Sequence, residues 1–354
     1  MIPKLEFNQN IPVVSLLIAM KNEEKYISDC LESLFAQDYP AEKLEVLILD
    51  GLSKDKSREI VKQLIQGKIH YKLINNPQVI QSSAWNLGIE KSSGQIISIV
   101  SAHSILSKNY VSKAVDTFFR TGADLVGGPM NAIGENNIAK VISIATSSPF
   151  GIGGAKFHYT NKEEIVDTVY MGFCARELYE TVGGFDEEMV RNQDDELSYR
   201  ILDNGGVIVC NPEIESNYFN RASFRSLWKQ YFQYGYWKVR VLQKHPKQMR
   251  IRQFIPPLFV FSLLLSIILT LSFNWGWLIL ILTTGSYLIA NITASLNIAI
   301  KERKEYLVFL PGTFVIIHLS YGLGFLIGLI KFLNRWSDTK GLVPNFPKKG
   351  VIND

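Results

Sequence analysis

From Gln253 to Ile300 the chain contains no Asp, Glu, Lys or Arg, and this run limits the possible folds more than any other feature. A helix on a soluble domain keeps a polar face, whereas this stretch has no charge to place on one. About 20 apolar residues suffice for a helix to cross a bilayer. Inside hydrocarbon every backbone polar group must be bonded within the chain, which selects helices. The run divides at Ser272-Phe273-Asn274, so Ile255 to Leu271 and Trp275 to Ala294 predict a helical hairpin through a membrane. Lys301, Glu302, Arg303 and Lys304 then mark a return to the cytoplasmic side by charge bias. A third apolar run, Tyr306 to Ile330, contains Pro311-Gly312 and several glycines, which suit close helix packing. Lys331, Arg335, Lys348 and Lys349 follow it. A third crossing puts that basic tail outside, against the charge rule, and a re-entrant or tilted segment keeps it inside. Both readings stay open from sequence. His318, within this run, is read as a buried packing residue.

With 354 residues there is room for a folded domain ahead of the membrane segment. Val13 to Ala19 is an apolar, β-rich run that predicts a buried parallel strand. A polar turn, Lys21-Asn22-Glu23-Glu24, precedes a helix with Ile27, Leu31, Leu34 and Phe35 at helical spacing. Leu44 to Leu49 predicts a second strand ending on Asp50-Gly51, with Ser53 and Asp55 just beyond. Acidic and turn residues thus fall at the carboxyl ends of adjacent strands, where open α/β sheets bind ligands. Asp50 is open to two readings. An ionised carboxylate is an acceptor only, so it can grip a base N–H or a ribose hydroxyl; equally, Asp50-Gly51 is turn chemistry and Ser53 or Asp55 caps the next helix.

Further along, Lys54 to Gln66, Gln81 to Lys91 and Lys108 to Arg120 predict helices. His70 to Ile74, Gln95 to Val100, Ala123 to Met130 and Val207 to Cys210 predict strands. Gly127-Gly128-Pro129 closes one of them and suits backbone approach to a ligand. Asn131 to Thr168 is Gly- and Ser-rich and reads as a mobile loop or, equally, as a poorly packed surface excursion. Gly183-Gly184 ends a helix before Phe185. In Gln193-Asp194-Asp195-Glu196-Leu197, Leu197 and Ile201 mark a helix face and put Asp194 near the helix start.

The segments VVSLLIAMKNEE, LEVLILDGLSKD, VYMGFCARELYETVGGFDE and QDDELSYR together resemble the family 2 glycosyltransferases. Within that family the chain is similar to the membrane-attached enzymes of succinoglycan-biosynthesis type. The resemblance implies a GT-A fold: a Rossmann-like α/β domain with a mostly parallel sheet, here followed by C-terminal transmembrane helices. It implies donor contacts at Ala19, Asn22, Glu23, Asp50, Ser101, Arg221 and Arg225, and acceptor contacts at Gln233 and Trp237. Asp194 takes the place of the family's general base, with Asp195 as its neighbouring alternative. His103 takes that of the metal ligand for a divalent cation, Mn²⁺ or Mg²⁺, which would neutralise the departing diphosphate. Four positions depart from the family pattern. Trp85 replaces a basic residue, Ser101 a carboxylate, Gln193 a Glu, and Tyr236 the Arg of the motif of processive synthases.

The expected organisation is residues 1–220 as the catalytic domain and 221–252 as an amphipathic interfacial linker, in which Lys238 to Arg252 meet anionic lipid. Residues 253–335 form the transmembrane helices and 336–354 the tail. A net charge of +4 gives no footprint for nucleic acid. Cys30, Cys174 and Cys210 have no CxxC pairing and read as buried thiols. No apolar run precedes Ile11, so no secretory signal is expected and the catalytic part is placed in the cytoplasm, on a multi-pass protein of the cell membrane. The expected partners are a nucleotide sugar (UDP-linked by family resemblance), a polyprenyl-linked saccharide and the bilayer. The expected activity is inverting transfer to that lipid-linked acceptor. A rival reading, a non-catalytic subunit scaffolding polysaccharide assembly, rests on Ser101 and Tyr236.

Overall fold

The computed structural model describes residues 11–153, 160–220 and 223–347. They form two compact bodies, one of residues 11–131, 160–218 and 340–347, the other of 132–153 and 219–339.

The first body opens with β1 (Val14–Met20), α1 (Ile27–Phe35), β2 (Leu44–Asp50), α2 (Ser57–Leu64), β3 (Tyr71–Asn75), α3 (Gln81–Lys91) and β4 (Ile96–Ser101). These are the strands and helices the hydrophobic pattern predicts. Four adjacent strands, β3-β2-β1-β4, are mutually parallel. The core lies where Leu16, Ile18, Val46 and Ile48 meet Ile27, Leu31 and Leu34 of α1. α3 approaches β1 and β2 closely at Gly88, where an added Cβ would stand 2.8 Å from Leu49.

Beyond β4 come β5 (Ser104–Leu106), α4 (Tyr110–Thr121), β6 (Leu125–Gly128) and β7 (Met130–Ile133). The single strand expected over Ala123 to Met130 is therefore two. Pro129 has no N–H to continue a ladder, and the halves join different sheets. After them lie β8 (Glu164–Ile165), β9 (Tyr170–Ala175), α7 (Arg176–Val182), α8 (Gln193–Asp203), β10 (Ile208–Cys210) and β11 (Ser216–Phe219). The large sheet runs β3-β2-β1-β4-β9-β6-β10-β8, and a small one β5-β11-β7. β9 is antiparallel to β4, so its beginning stands at the carboxyl end of β4. The three cysteines are buried and unbridged, and burial pushes their thiols up to about 12.

In the second body α5 (Asn137–Thr146) and α6 (Pro149–Ile152) occupy the first part of the segment expected to be a mobile loop, of which residues 154–159 lie outside the described residues. The correction has a plain cause. Val141, Ile142 and Ala145 are fully buried in a cluster with Leu227, Phe314 and Ile317, and Asn136 caps the helix by accepting from Ala139 N at 2.8 Å. The remaining long helices are α9 (Phe224–Lys244), α10 (Ile255–Ser272), α11 (Gly276–Lys301) and α12 (Leu310–Lys331). The last three are long and apolar enough to cross a membrane. α9 and α12 lie side by side in the same direction, Tyr321 beside Gly235, Gly324 beside Phe232 and Gly328 beside Tyr236. Their glycines let the two backbones approach.

Not all the basic residues of α9 face outward. Lys238, Arg240 and Lys244 are buried, and Arg240 donates to Gln243 Oε1 at 2.6 Å and pairs with Asp338 at 3.5 Å. Contact with anionic headgroups by the whole of Lys238 to Arg252 is thus corrected: α12 and the segment after it cover part of that face. His318 is buried, as read from sequence. It lies 3.0 Å from the Tyr287 hydroxyl and 2.9 Å from the Phe150 carbonyl, so both ring nitrogens are satisfied.

Candidate active site

Parallel pairing sets the site. Met20 stands opposite Asp50, and Ala19 opposite both Leu49 and Ser101. The carboxyl ends of β1, β2 and β4 therefore come together, with the loops carrying Asn22, Glu23 and His103. The loops after β1 and β2 are tied to each other rather than left separate. Asn22 N donates to Ser53 Oγ (2.9 Å), Lys54 N to Asn22 Oδ1 (2.8 Å) and Glu23 N to Ser57 Oγ (2.7 Å). Asn22 and Leu52 both adopt left-handed backbone, φ 55° and 60°, a conformation that Asn tolerates and Leu rarely takes. Asp55 accepts from Ser57 N, Ser57 Oγ and Glu24 N. Partial burial pushes its carboxyl up, but those hydrogen bonds outweigh it and hold Asp55 below the usual carboxylate range.

Asp50 is fully buried. Its carboxylate accepts from Ser53 N at 3.1 Å and forms an ion pair with Arg58. Both sequence readings of Asp50 thus meet one fact: the carboxylate already has partners, and it is Arg58, 30% exposed, that reaches solvent. Arg58 was missed because an Arg inside an amphipathic helix carries no sequence signal of its own.

His103 lies in the turn after β4 with Nδ1 3.3 Å from Glu23 Oε1. Its ring packs 4.9 Å from Tyr218 and 6.2 Å from Tyr26. Tyr218 neighbours Tyr170, whose hydroxyl is 2.9 Å from Ser104 Oγ. Burial raises the Tyr170 phenol well above its ordinary range. The pairing of His103 with Glu23 could not be read from the sequence, in which the two are far apart. Among the described residues no group of three His, Cys, Asp or Glu converges. The described residues therefore build no closed cage. His103 and Glu23 instead form a two-donor set, imidazole and carboxylate, that fits a cation sharing its remaining positions with oxygens from a ligand.

Asp194 and Asp195 occupy the first turn of α8, Asp194 exposed and Asp195 half-buried. Thr168, two residues before β9, lies 3.1 Å from Ser198 of α8. Because β9 begins where β4 ends, this contact ties α8 to the carboxyl edge of the sheet. The turn ahead of α8 is held from three sides. Asn86 of α3 accepts from Phe185 N (2.7 Å) and donates to Phe185 O (2.8 Å). Arg200 of α8 donates to Val182 O and Gly184 O. Residues 342–346 close the third side, where Gly184 N donates to Pro344 O (2.9 Å), Glu187 N to Leu342 O (3.0 Å) and Leu342 N to the buried Asp186 (2.8 Å). Trp85 packs 4.7 Å from Phe185, a packing role where the family has a basic residue.

Arg225, Gln233 and Trp237 belong to α9 in the second body. Trp237 packs on Phe332 at 5.7 Å. Arg221 lies outside the described residues.

An α/β body with polar loops gathered at parallel strand ends, continuous in sequence with apolar membrane-length helices, defines a membrane-attached GT-A protein. The sequence profile of "Glycosyl transferase family 2" matches residues 15–183. A relative from Methanococcus voltae is 33% identical over 327 residues, covering 90% of this chain and 97% of its own. It is named dolichyl N-acetyl-alpha-D-glucosaminyl phosphate 3-beta-D-2,3-diacetamido-2,3-dideoxy-beta-D-glucuronosyltransferase. The succinoglycan biosynthesis protein ExoA of Rhizobium meliloti is 28% identical, covering 90% of this chain and 96% of its own. Among solved structures, the mannosyltransferase PcManGT of Pyrobaculum calidifontis superposes with a TM-score of 0.61 at 15% identity, over 93% of this chain and 91% of that one. The chain belongs to the family 2 glycosyltransferases and is a membrane glycosyltransferase.

Proposed function

We propose that the protein is an inverting enzyme moving one sugar from a nucleoside diphosphate donor, taken as a UDP-sugar from the family resemblance, to a saccharide on a polyprenyl-type lipid. The observation that carries this is the gathering of Asn22, Glu23, Asp50, Ser101 and His103 at the ends of β1, β2 and β4. The lipid acceptor is supported by the membrane-length helices and by the dolichyl phosphate acceptor in the name of the Methanococcus voltae relative.

In this reading the nucleoside rests against the Asp50–Arg58 pair and the main chain near Ala19. Glu23 and His103 would hold a divalent cation, Mn²⁺ suiting an imidazole better than Mg²⁺, and what it would supply there is positive charge for the leaving diphosphate. Asp194 accepts the proton of the acceptor hydroxyl as that oxygen attacks the anomeric carbon from the face opposite the leaving group. Asp194 is exposed in the first turn of α8, where a carboxylate is open to an acceptor hydroxyl. Arg221 and Arg225 are proposed for phosphate oxygens, and Gln233 and Trp237 for the acceptor. Residues 1–220 act as the catalytic domain in the cytoplasm, 221–252 as the linker, 253–335 as the membrane segment and 336–354 as the tail of a multi-pass cell-membrane protein.

The test uses detergent-purified, full-length protein, a panel of nucleotide sugars with and without Mn²⁺, and a membrane lipid extract. The expected product is an organic-extractable glycolipid whose new linkage has the anomeric configuration opposite to the donor's. If neither transfer nor donor hydrolysis occurs with any donor, the scaffold reading inferred from Ser101 and Tyr236 replaces this one.

A further inference from the structure

The three apolar helices are indistinguishable as spans by length and composition, yet the chain's own hydrogen bonds limit how many can cross. Residues 342–346 are bonded to the Gly183–Glu187 turn within the first body. The chain that leaves this body at β11 therefore returns to the same body, on the same side of any membrane. Residues 332–339 cannot hide an additional crossing. They are too few for a ~30 Å core, even at about 3.5 Å per residue, and they include the ion-paired Arg335 and Asp338. The number of crossings between β11 and residue 340 must be even.

α12 is the helix that does not cross. Half of its most apolar window is buried in protein, against 17% for α10 and 11% for α11. Its direction is fixed by contacts with the α10–α11 hairpin. Phe259 of α10 stacks on Tyr287 of α11 at 4.2 Å, which puts these two residues at one level. Asn291 of α11 donates to Pro311 O (3.1 Å), Gly322 lies between Pro256 and Val260 of α10, and Phe325 packs 5.9 Å from Phe254 just ahead of α10. Relative to the stacked pair, at 1.5 Å per residue, Asn291 is about 6 Å nearer the base of the hairpin, the midpoint of Pro256 and Val260 about 1.5 Å and Phe254 about 7.5 Å. Between Pro311 and Phe325, α12 advances about 21 Å while its level on the hairpin stays within about 6 Å. It runs across the hairpin near its base.

α9 excludes the opposite assignment. It lies parallel to α12 and carries Arg225, Lys229, Lys238, Arg240 and Lys244. Were both to cross, α9 would lead out, α10 back and α11 out again. α12 would then start on the far side and run opposite to α9, contrary to the packing.

We infer that the chain crosses the bilayer twice, through α10 and α11, and that α12 is an in-plane helix seated in the leaflet at the base of the α10–α11 hairpin, its outer face, with Ile327 and Ile330, against acyl chains. Those two residues are 44% and 76% exposed, whereas Phe314, Ile317 and Phe325 point into protein.

Single-cysteine labelling of the full-length protein in sealed vesicles of known orientation tests this. The native thiols are buried and pushed up to about 12, so they react slowly with maleimide. Lys56→Cys, Asn274→Cys and Thr339→Cys are placed at exposed positions, with Asn334→Cys as a second reporter for the last segment. A membrane-impermeant maleimide should label positions 56, 334 and 339 from one side and 274 from the other. Labelling of 334 or 339 together with 274 would overturn the two-crossing topology, and labelling of all four from one side would overturn any crossing. Nitroxides on Val315→Cys and Ile327→Cys read the tilt of α12. Equal depths are expected, and a difference near the ~18 Å separating them along the helix would show that α12 crosses.

Discussion

Arg200 joins the helix carrying the proposed base to the turn before it, and its removal is a measurable perturbation. Its guanidinium grips Glu196 in two-pronged fashion at 2.8 and 2.7 Å and donates to Val182 O and Gly184 O at 2.5 and 2.6 Å. The side chains are 13% and 2% exposed, so neither charge is well hydrated. Arg200→Met leaves the Glu196 carboxylate buried without this cation, and breaking such a pair costs about 3–5 kcal/mol. Replacing both, Arg200→Met with Glu196→Leu, removes the stranded charge. What remains is two carbonyls without their donor, at roughly 1–3 kcal/mol each where water cannot reach them. The double variant should therefore be no less stable than Arg200→Met alone, with a coupling energy of at least about 1 kcal/mol. Urea unfolding of the full-length protein in detergent, followed by tryptophan fluorescence, reads this. A loss below about 1 kcal/mol for Arg200→Met, or strictly additive effects, would refute the claim that this pair holds the turn.

Three further outcomes are expected. Asp194→Asn should lower the transfer rate by roughly 10²–10⁴-fold with donor affinity unchanged; if Asp195→Asn does this instead, the base is one residue later. At the donor site, Arg58→Ala and Asp50→Asn should each weaken UDP binding by about 1–3 kcal/mol, and unchanged affinity in both folded variants, by calorimetry, would dismiss the pair from the donor site. The Asp55 carboxyl, held low in the folded state, contributes its hydrogen bonds fully above its unfolded value of about 3.9 and loses them as pH falls through the depressed folded value. Asp55→Asn should therefore flatten the acid limb of the stability curve below about pH 4, and superimposable acid limbs would contradict that.

The elements most legible in the sequence were those whose burial is decided locally. β1, β2 and β4 are buried on both faces and so read as predominantly apolar runs; α3 was bounded to the residue. α5 was hidden because its apolar stripe is short and followed by glycine and serine, and its partners, Leu227 and Phe314, come much later in the chain. The site divides along the same line. Strand-end positions such as Asp50 and Ser101 follow from strand register, whereas the pairings of Asp50 with Arg58 and His103 with Glu23 depend on loop geometry that no local pattern encodes. Topology shows the same contrast in its strongest form. α12 satisfies every compositional test for a span, because hydropathy measures only what a helix could bury. What α12 actually buries is set by α9 and by the α10–α11 hairpin, and what holds residues 342–346 is a set of hydrogen bonds between Leu342 and Pro344 and a turn more than 150 residues earlier.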